Sequence, residues 1–222
     1  MTHEEFVRWL MEFSTCNLSD ALDRFGIAGA PRGIFPLWSG CSKAAGRAMT
    51  IKLVPDGPDS PVDGTLRAIL AADSGDLLVI DNGGRMDVNS FGGIAAFTSQ
   101  RKGLAGVVID GVTRDVDEMR EMDFPAFGRG VIQQSIRNRC AFGGLGGEIR
   151  IGGVAVRRGD YVAADVNGVV IIPGERAAEV METARRCFEM EAQVKRWISS
   201  GVDPVEAHQR ADYDRLTGGQ KP

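Results

Sequence analysis

The feature that most constrains this chain is a unit repeated through its first half: a short apolar run, a polar or glycine-rich break, and a segment with apolar residues at helical spacing. DLLVID at 76–81 and VVID at 107–110 are short and rich in branched aliphatic residues, so both read as buried strands. Spacing predicts helices over 64–72 and 92–102. A further amphipathic helix, carried by Val116, Met119 and Met122, follows the second run, and alternation over 45–53 adds a strand. The result is a βαβαβ rhythm, and in such folds ligands collect at the carboxyl ends of strands, where loops gather polar groups on a rigid base.

The second half changes character. Short strands separated by Gly and Asp turns are predicted at 125–130, 147–151, 154–157, 161–164 and 169–172, and a long helix follows Pro173-Gly174 to about Ser199. Phe6, Leu10 and Phe13 recur at helical spacing, giving an N-terminal helix over 1–16, and Asn17-Leu-Ser-Asp20 opens a second that ends near Gly26. Residues 28–43 and 55–61, rich in Gly and Pro, should be irregular, and the tail 201–222 is polar with one weakly helical stretch. This mixture predicts layered α/β architecture with more than one sheet, in a single domain over 1–222.

At 222 residues and 43% hydrophobic content the chain is large enough for a substantial core. Its net charge of −4 supplies no general attraction for nucleic acid or anionic lipid, so neither is expected as a partner. The start, MTHEEFVRWLMEF, is too acidic and interrupted for a signal peptide, and no apolar run approaches the ~20 residues of a membrane span; a cytoplasmic location is expected. Cys16, Cys41, Cys140 and Cys187 are widely scattered, without CxxC spacing, and read as reduced thiols. Gly144-Leu-Gly146 lacks the third glycine of a dinucleotide fingerprint, and no GxxxxGK[ST] occurs. The only histidines, His3 and His208, lie near the ends, which disfavours histidine triads and HExxH zinc sites. Acid–base chemistry here would rest on carboxylates, arginine, water or a metal, and an all-carboxylate donor set favours Mg2+ or Mn2+.

Three groups are candidates. Arg114 and Asp115 stand where a buried strand turns into a helix: Asp115 could ligate a divalent metal while Arg114 grips a carboxylate, or Asp115 and Glu118 could simply form a capping box. Gly92, Gly93, Ile94 and Ala95 open a helix whose free N–H groups could hold an anion, or the two glycines could serve close helix–sheet packing. Glu191 interrupts the apolar stripe of Val180, Ala184, Cys187, Val194 and Ile198, so it reaches a site, an ion or an Arg, or else lies on an exposed edge of that stripe.

Phe91-Gly92, the twenty residues between Gly93 and Arg114, the segment GLAGVVIDGVTRDVDEMREMDFPAFGRG and the later GGVAVRRGDYVAADVNGVVIIP together resemble the RraA-like family. That family contains class II pyruvate aldolases, such as 4-hydroxy-4-methyl-2-oxoglutarate aldolase, and a non-enzymatic regulator of ribonuclease activity. The resemblance runs from about Asn17 to Gly201. It implies a layered α/β sandwich with a long C-terminal helix, assembled as a homotrimer or hexamer. It also implies a metal-dependent lyase, aldolase or oxaloacetate decarboxylase, acting on a 2-oxo acid through a pyruvate enolate. Arg114 then matches the arginine that binds the keto acid, Asp115 the metal ligand, Gly92 to Ala95 the carboxylate-binding turn, and Glu191 a glutamate donated by an adjacent subunit. One position departs: Gly93 stands where active aldolases carry Glu or Asp. Another acid such as Asp87 substitutes, water fills the gap, or the chemistry is altered; the non-catalytic regulator is the alternative reading.

Overall fold

The computed structural model describes residues 2–211. Its first two helices, α1 (His3–Glu12) and α2 (Thr15–Asp23), each begin with a reciprocal capping box, Thr2 with Glu5 and Ser14 with Asn17. The second box explains why the N-terminal helix stops short of the expected residue 16: Phe13 is extended, and Ser14 starts a new helix rather than continuing the old one.

The remaining elements follow in order: β1 (Phe35–Pro36), β2 (Ala44–Val54), α3 (Pro61–Ala71), β3 (Leu77–Asn89), α4 (Gly93–Lys102), β4 (Gly106–Thr113), α5 (Val116–Glu121), β5 (Ala126–Gly128), β6 (Gly130–Val131), β7 (Ala141–Leu145), β8 (Ile149–Ile151), β9 (Val154–Val156), β10 (Tyr161–Asp165) and β11 (Gly168–Ile172). A short 3-10 turn at Gly174–Arg176 leads into the long α6 (Ala177–Ser199), and α7 (Pro204–Ala211) is the structured part of the polar tail. Helix α3 begins earlier than its apolar spacing suggests because Ser60 caps it and Pro61, which has no N–H to lose, takes its first turn.

The main sheet runs β1-β5-β4-β3-β2-β10-β11, with β6 on the end of β4 and β7 beside β2; β8 and β9 form a separate antiparallel pair. Strands β2 to β5 are parallel, as the βαβ rhythm requires, and every residue of β4 is buried. One face, with Met49, Ile51, Leu78, Ile80, Val107 and Ile109, shares a core with Ala68 and Ile69 of α3, Ala96 of α4 and Met119 of α5. Ala48, Leu77, Val79 and Val108 pack in a second core with Ile149, Ile151, Val154 and Val156 of the β8–β9 pair. A third core joins α1, α2 and α6 to Tyr161 and Ala163 of β10 and Val170 and Ile172 of β11, while Val162 and Ala164, pointing the other way, belong to the second. The layered α/β expectation with more than one sheet and a long C-terminal helix therefore holds.

Two departures matter for function. Strand β3 does not end at Asp81: it continues through the glycine-rich stretch, shifting register against β4 between Asp81 and Arg85 and again before Asn89. Those shifts carry residues 89–92 to the carboxyl end of β4. Second, Asp81 and Asp110, register partners on β3 and β4, are buried. Asp81 pairs with Lys52 at 2.7 Å and Asp110 with Arg129, and each also accepts a backbone N–H from the β8 region, from Arg150 and Gly152 respectively. These buried acids tie the small sheet to the large one and stay out of the cavity described below.

Candidate active site

Strand β4 delivers Thr113, Arg114 and Asp115 to its carboxyl edge, where β3 has just turned into α4. The two chains are stitched together there: Ser90 N–H donates to Val112 O at 2.8 Å, and the Thr113 hydroxyl to Phe91 O at 2.6 Å. Asp115 then adopts φ 58, ψ 37, a left-handed conformation that Asp tolerates better than most side chains but that still costs energy. It sits at the cap position of α5 and makes no side-chain cap bond. Its Oδ2 instead accepts the Gly93 N–H across the gap at 2.9 Å and lies 3.3 Å from Arg114 Nε. The capping-box reading of Asp115 with Glu118 is thus overturned: the backbone turn aims the carboxylate at α4.

Helix α4 starts with Gly92 as its cap, which offers no side chain to the first-turn N–H groups. Gly93 gives its N–H to Asp115, leaving those of Ile94 and Ala95 without an acceptor inside the helix. Side-chain ends approach both glycines closely. A Cβ on Gly92 would stand 2.9 Å from Asp115 Oδ2, and one on Gly93 would fall 2.8 Å from Glu118 Cδ and closer still to its Oε2. The carboxylate of Glu118, reaching back from α5, occupies the space that an acidic side chain on residue 93 would enter.

These groups share one cavity of about 290 Å³, and further parts of its wall come from Val62 and Leu66 of α3 and from residues 135–137. Among the described residues, two buried polar atoms of its lining accept or donate no hydrogen bond: Asn89 Oδ1, although Asn89 Nδ2 donates to Phe91 O at 3.1 Å, and Arg114 Nε, which has only its ion-pair contact with Asp115. Buried polar atoms are normally paired, so these two mark a wall suited to a polar occupant.

Arg114, Asp115 and Gly92 to Ala95, singled out from the sequence, line this one cavity. Glu191 does not. It lies on α6, where Oε1 accepts from Asn17 Nδ2 of α2 at 3.1 Å and Oε2 is 3.5 Å from Lys195 Nζ; within one chain it links two helices. Asp87 is also elsewhere, held by two bonds from Arg85 at 3.0 and 2.7 Å and 69% exposed. Glu118 was missed as a site residue because three-residue spacing after Asp115 matches a capping box; the glycine at 93 was the signal that another acid fills its place. Asn89 was missed because the glycine-rich stretch before it reads as a turn. Among the described residues no group of three or more His, Cys, Asp or Glu side chains is arranged to hold a metal ion, and the four cysteines are unpaired.

A mixed α/β scaffold with two arginines, two carboxylates and a helix N-terminus lining one small cavity at the carboxyl edge of parallel strands defines the class of fold and the place in it where ligands generally collect. The chain belongs to the RraA-like family, whose profile, described as Aldolase/RraA, matches residues 15–171. It is 32% identical to Protein DlpA of Legionella pneumophila over 96% of this chain, although it spans only 34% of the length of that relative. It is 29% identical to a protein of Halalkalibacterium halodurans named "Putative 4-hydroxy-4-methyl-2-oxoglutarate aldolase", over 92% of this chain and 93% of that one. Among solved structures, Streptomyces coelicolor RraAS2, described as an unusual member of the RNase ES inhibitor RraA family, superposes with a TM-score of 0.79 at 28% identity, covering 85% of this chain and 95% of that one. No described helix is long and apolar enough to cross a membrane.

Proposed function

We propose that the protein is a divalent-metal-dependent carbon–carbon lyase acting on a 2-oxo acid, as an aldolase on substrates such as 4-hydroxy-4-methyl-2-oxoglutarate, as an oxaloacetate decarboxylase, or as both. The observation that carries this reading is the Glu118 carboxylate lying over Gly93 beside Asp115. It supplies from α5 the second acid that position 93 lacks, so the glycine departure does not leave the cavity short of a carboxylate.

The donor set of the cavity fits a hard cation: two carboxylates and no sulfur or imidazole, the arrangement in which Mg2+ or Mn2+ keeps several waters and takes one or two protein oxygens. Asp115 and Glu118 would hold it, and when bound it would act as a Lewis acid on the 2-keto oxygen and a carboxylate oxygen. The chain's own groups do the rest. The first-turn N–H groups of Ile94 and Ala95, at the positive end of α4, take the substrate carboxylate. Arg114 donates to the keto acid and offsets the negative charge that develops as the bond between C3 and C4 breaks. The bonding pair moves into the enolate of pyruvate, the C4 hydroxyl becomes a carbonyl, and its proton leaves to water, since no histidine lines the cavity. Protonation at C3 completes pyruvate.

Assembly belongs to the same proposal. A homotrimer or hexamer would place Glu191 at a neighbouring copy's cavity, as the family resemblance implies. Mixing Arg114→Ala with Glu191→Gln subunits would then restore activity that neither has alone.

The test of the lyase reading is pyruvate release from 4-hydroxy-4-methyl-2-oxoglutarate and from oxaloacetate, with Mg2+ or Mn2+ and after chelation. Release that chelation abolishes and Arg114→Ala suppresses supports it. A folded, metal-replete protein that releases none overturns it, and the likeness to RraAS2 then favours a non-catalytic regulator that binds a ribonuclease or another protein.

A further inference from the structure

Besides Arg114, a second arginine lines the cavity: Arg137. It comes from the segment between β6 and β7, which is anchored rather than loose. Ile136 is 8% exposed and belongs to the core that contains Phe91 and Met119, and the Arg137 N–H donates to Ser135 Oγ at 3.3 Å. No described carboxylate forms an ion pair with Arg137, whereas Arg85 and Arg129, also near this edge of the sheet, are each committed to an aspartate.

Charge makes the role specific. The charged side chains in the wall are Arg114, Arg137, Asp115 and Glu118, which cancel. A divalent cation on the two acids therefore leaves two positive charges in excess. One substrate carboxylate at the α4 N-terminus and Arg114 balances half of that. A second carboxylate on the same molecule balances the rest, and a planar guanidinium without an acidic partner is the group suited to receive it. We infer that Arg137 binds a second carboxylate, on the half of the substrate that leaves as the carbonyl product, and so makes the enzyme select dianionic over monoanionic 2-oxo acids. Arg137 is a specificity residue, and the assignment rests on the lyase reading of the same cavity.

The test compares full-length wild type, Arg137→Met and Arg137→Lys, each loaded with Mn2+. Steady-state kinetics would use 4-hydroxy-4-methyl-2-oxoglutarate, a dianion, and 4-hydroxy-2-oxopentanoate, a monoanion. Calorimetry would measure the affinities of uncleavable 2-oxoglutarate and 2-oxobutyrate. Because Arg137 is exposed, the variants should melt with wild type. Arg137→Met is expected to lose on the order of 10- to 100-fold in kcat/KM for the dianion, as for a lost hydrogen bond between charged groups, with less than about a 3-fold change for the monoanion. The 2-oxoglutarate preference should shrink in parallel, and Arg137→Lys should recover part of it. Equal losses on both substrates, an unchanged preference for 2-oxoglutarate in Arg137→Met, or no preference in wild type would overturn the assignment. If wild type binds these acids but cleaves none, the lyase reading fails while calorimetry still decides the role of Arg137.

Discussion

Gly93→Ala is the most informative single substitution because the structure predicts opposite effects on stability and on function. The new Cβ would lie 2.8 Å from Glu118 Cδ, well inside the 3.4 Å at which ordinary contact begins, and closer still to Oε2. The obstacle is the end of a flexible side chain on an exposed residue, so Glu118 swings away and the backbone stays. Gly93 is the first residue of α4 with no positive φ, where Ala restricts the unfolded chain and adds up to about 1 kcal/mol of stability. The melting temperature should therefore hold or rise slightly. Losing the carboxylate should lower kcat by about 100- to 1000-fold, the effect of removing one preorganised electrostatic group, and weaken Mn2+ binding measured by calorimetry. Glu118→Gln should match it, and the double variant should be no worse than either alone, since both remove the same group. Full activity and Mn2+ affinity in Gly93→Ala, or multiplying losses in the double variant, would refute the idea that Glu118 replaces an acid at position 93.

Asp115→Asn should keep the left-handed turn, which Asn also tolerates, and melt within about 1 kcal/mol of wild type, while Mn2+ titration shows lost binding; retained binding would remove Asp115 from the metal site. Met119→Ala, at a fully buried side chain of α5, should cost about 2–5 kcal/mol in denaturant unfolding, and a loss below that range would mean that α5 is not fastened to the core. Burial pushes the Asp165 carboxyl upward, but the Thr15 N–H at 2.8 Å, the Thr15 hydroxyl at 2.7 Å, the Asn167 N–H and nearby Lys43 outweigh it and hold the group below its usual value. Its contribution to stability is thus present above the unfolded carboxyl pKa of about 3.9 and lost as pH falls through the lower folded value. Melts from pH 6 to 3 should show a shallower acid slope for Asp165→Asn than for wild type; parallel slopes would contradict the sign.

Much of this protein was determined by its sequence alone. The buried strands around 77–81 and 107–110, the helices between them, the long α6 and the place of Arg114 and Asp115 at the carboxyl end of a strand follow from periodicity and the βαβ rule, because burial on two faces admits few arrangements; that the α4 N-terminus meets them there was implied only by the family resemblance and depends on the register shifts of β3. What the tertiary structure decided lies where one local pattern serves two outcomes. Asp115-x-x-Glu118 is as good a capping box as it is a pair of site acids, and only the left-handed turn at Asp115 and the Glu118 carboxylate lying over Gly93 separate the two. Glu191 breaks an apolar stripe equally well whether it faces a cavity or Asn17 of a neighbouring helix. Asn89 and Arg137 carry no sequence signature, since what makes them matter is a register shift in β3 and a segment folded back from β6. Local spacing records which face a side chain takes; which groups meet it there is set by contacts between segments far apart in the chain.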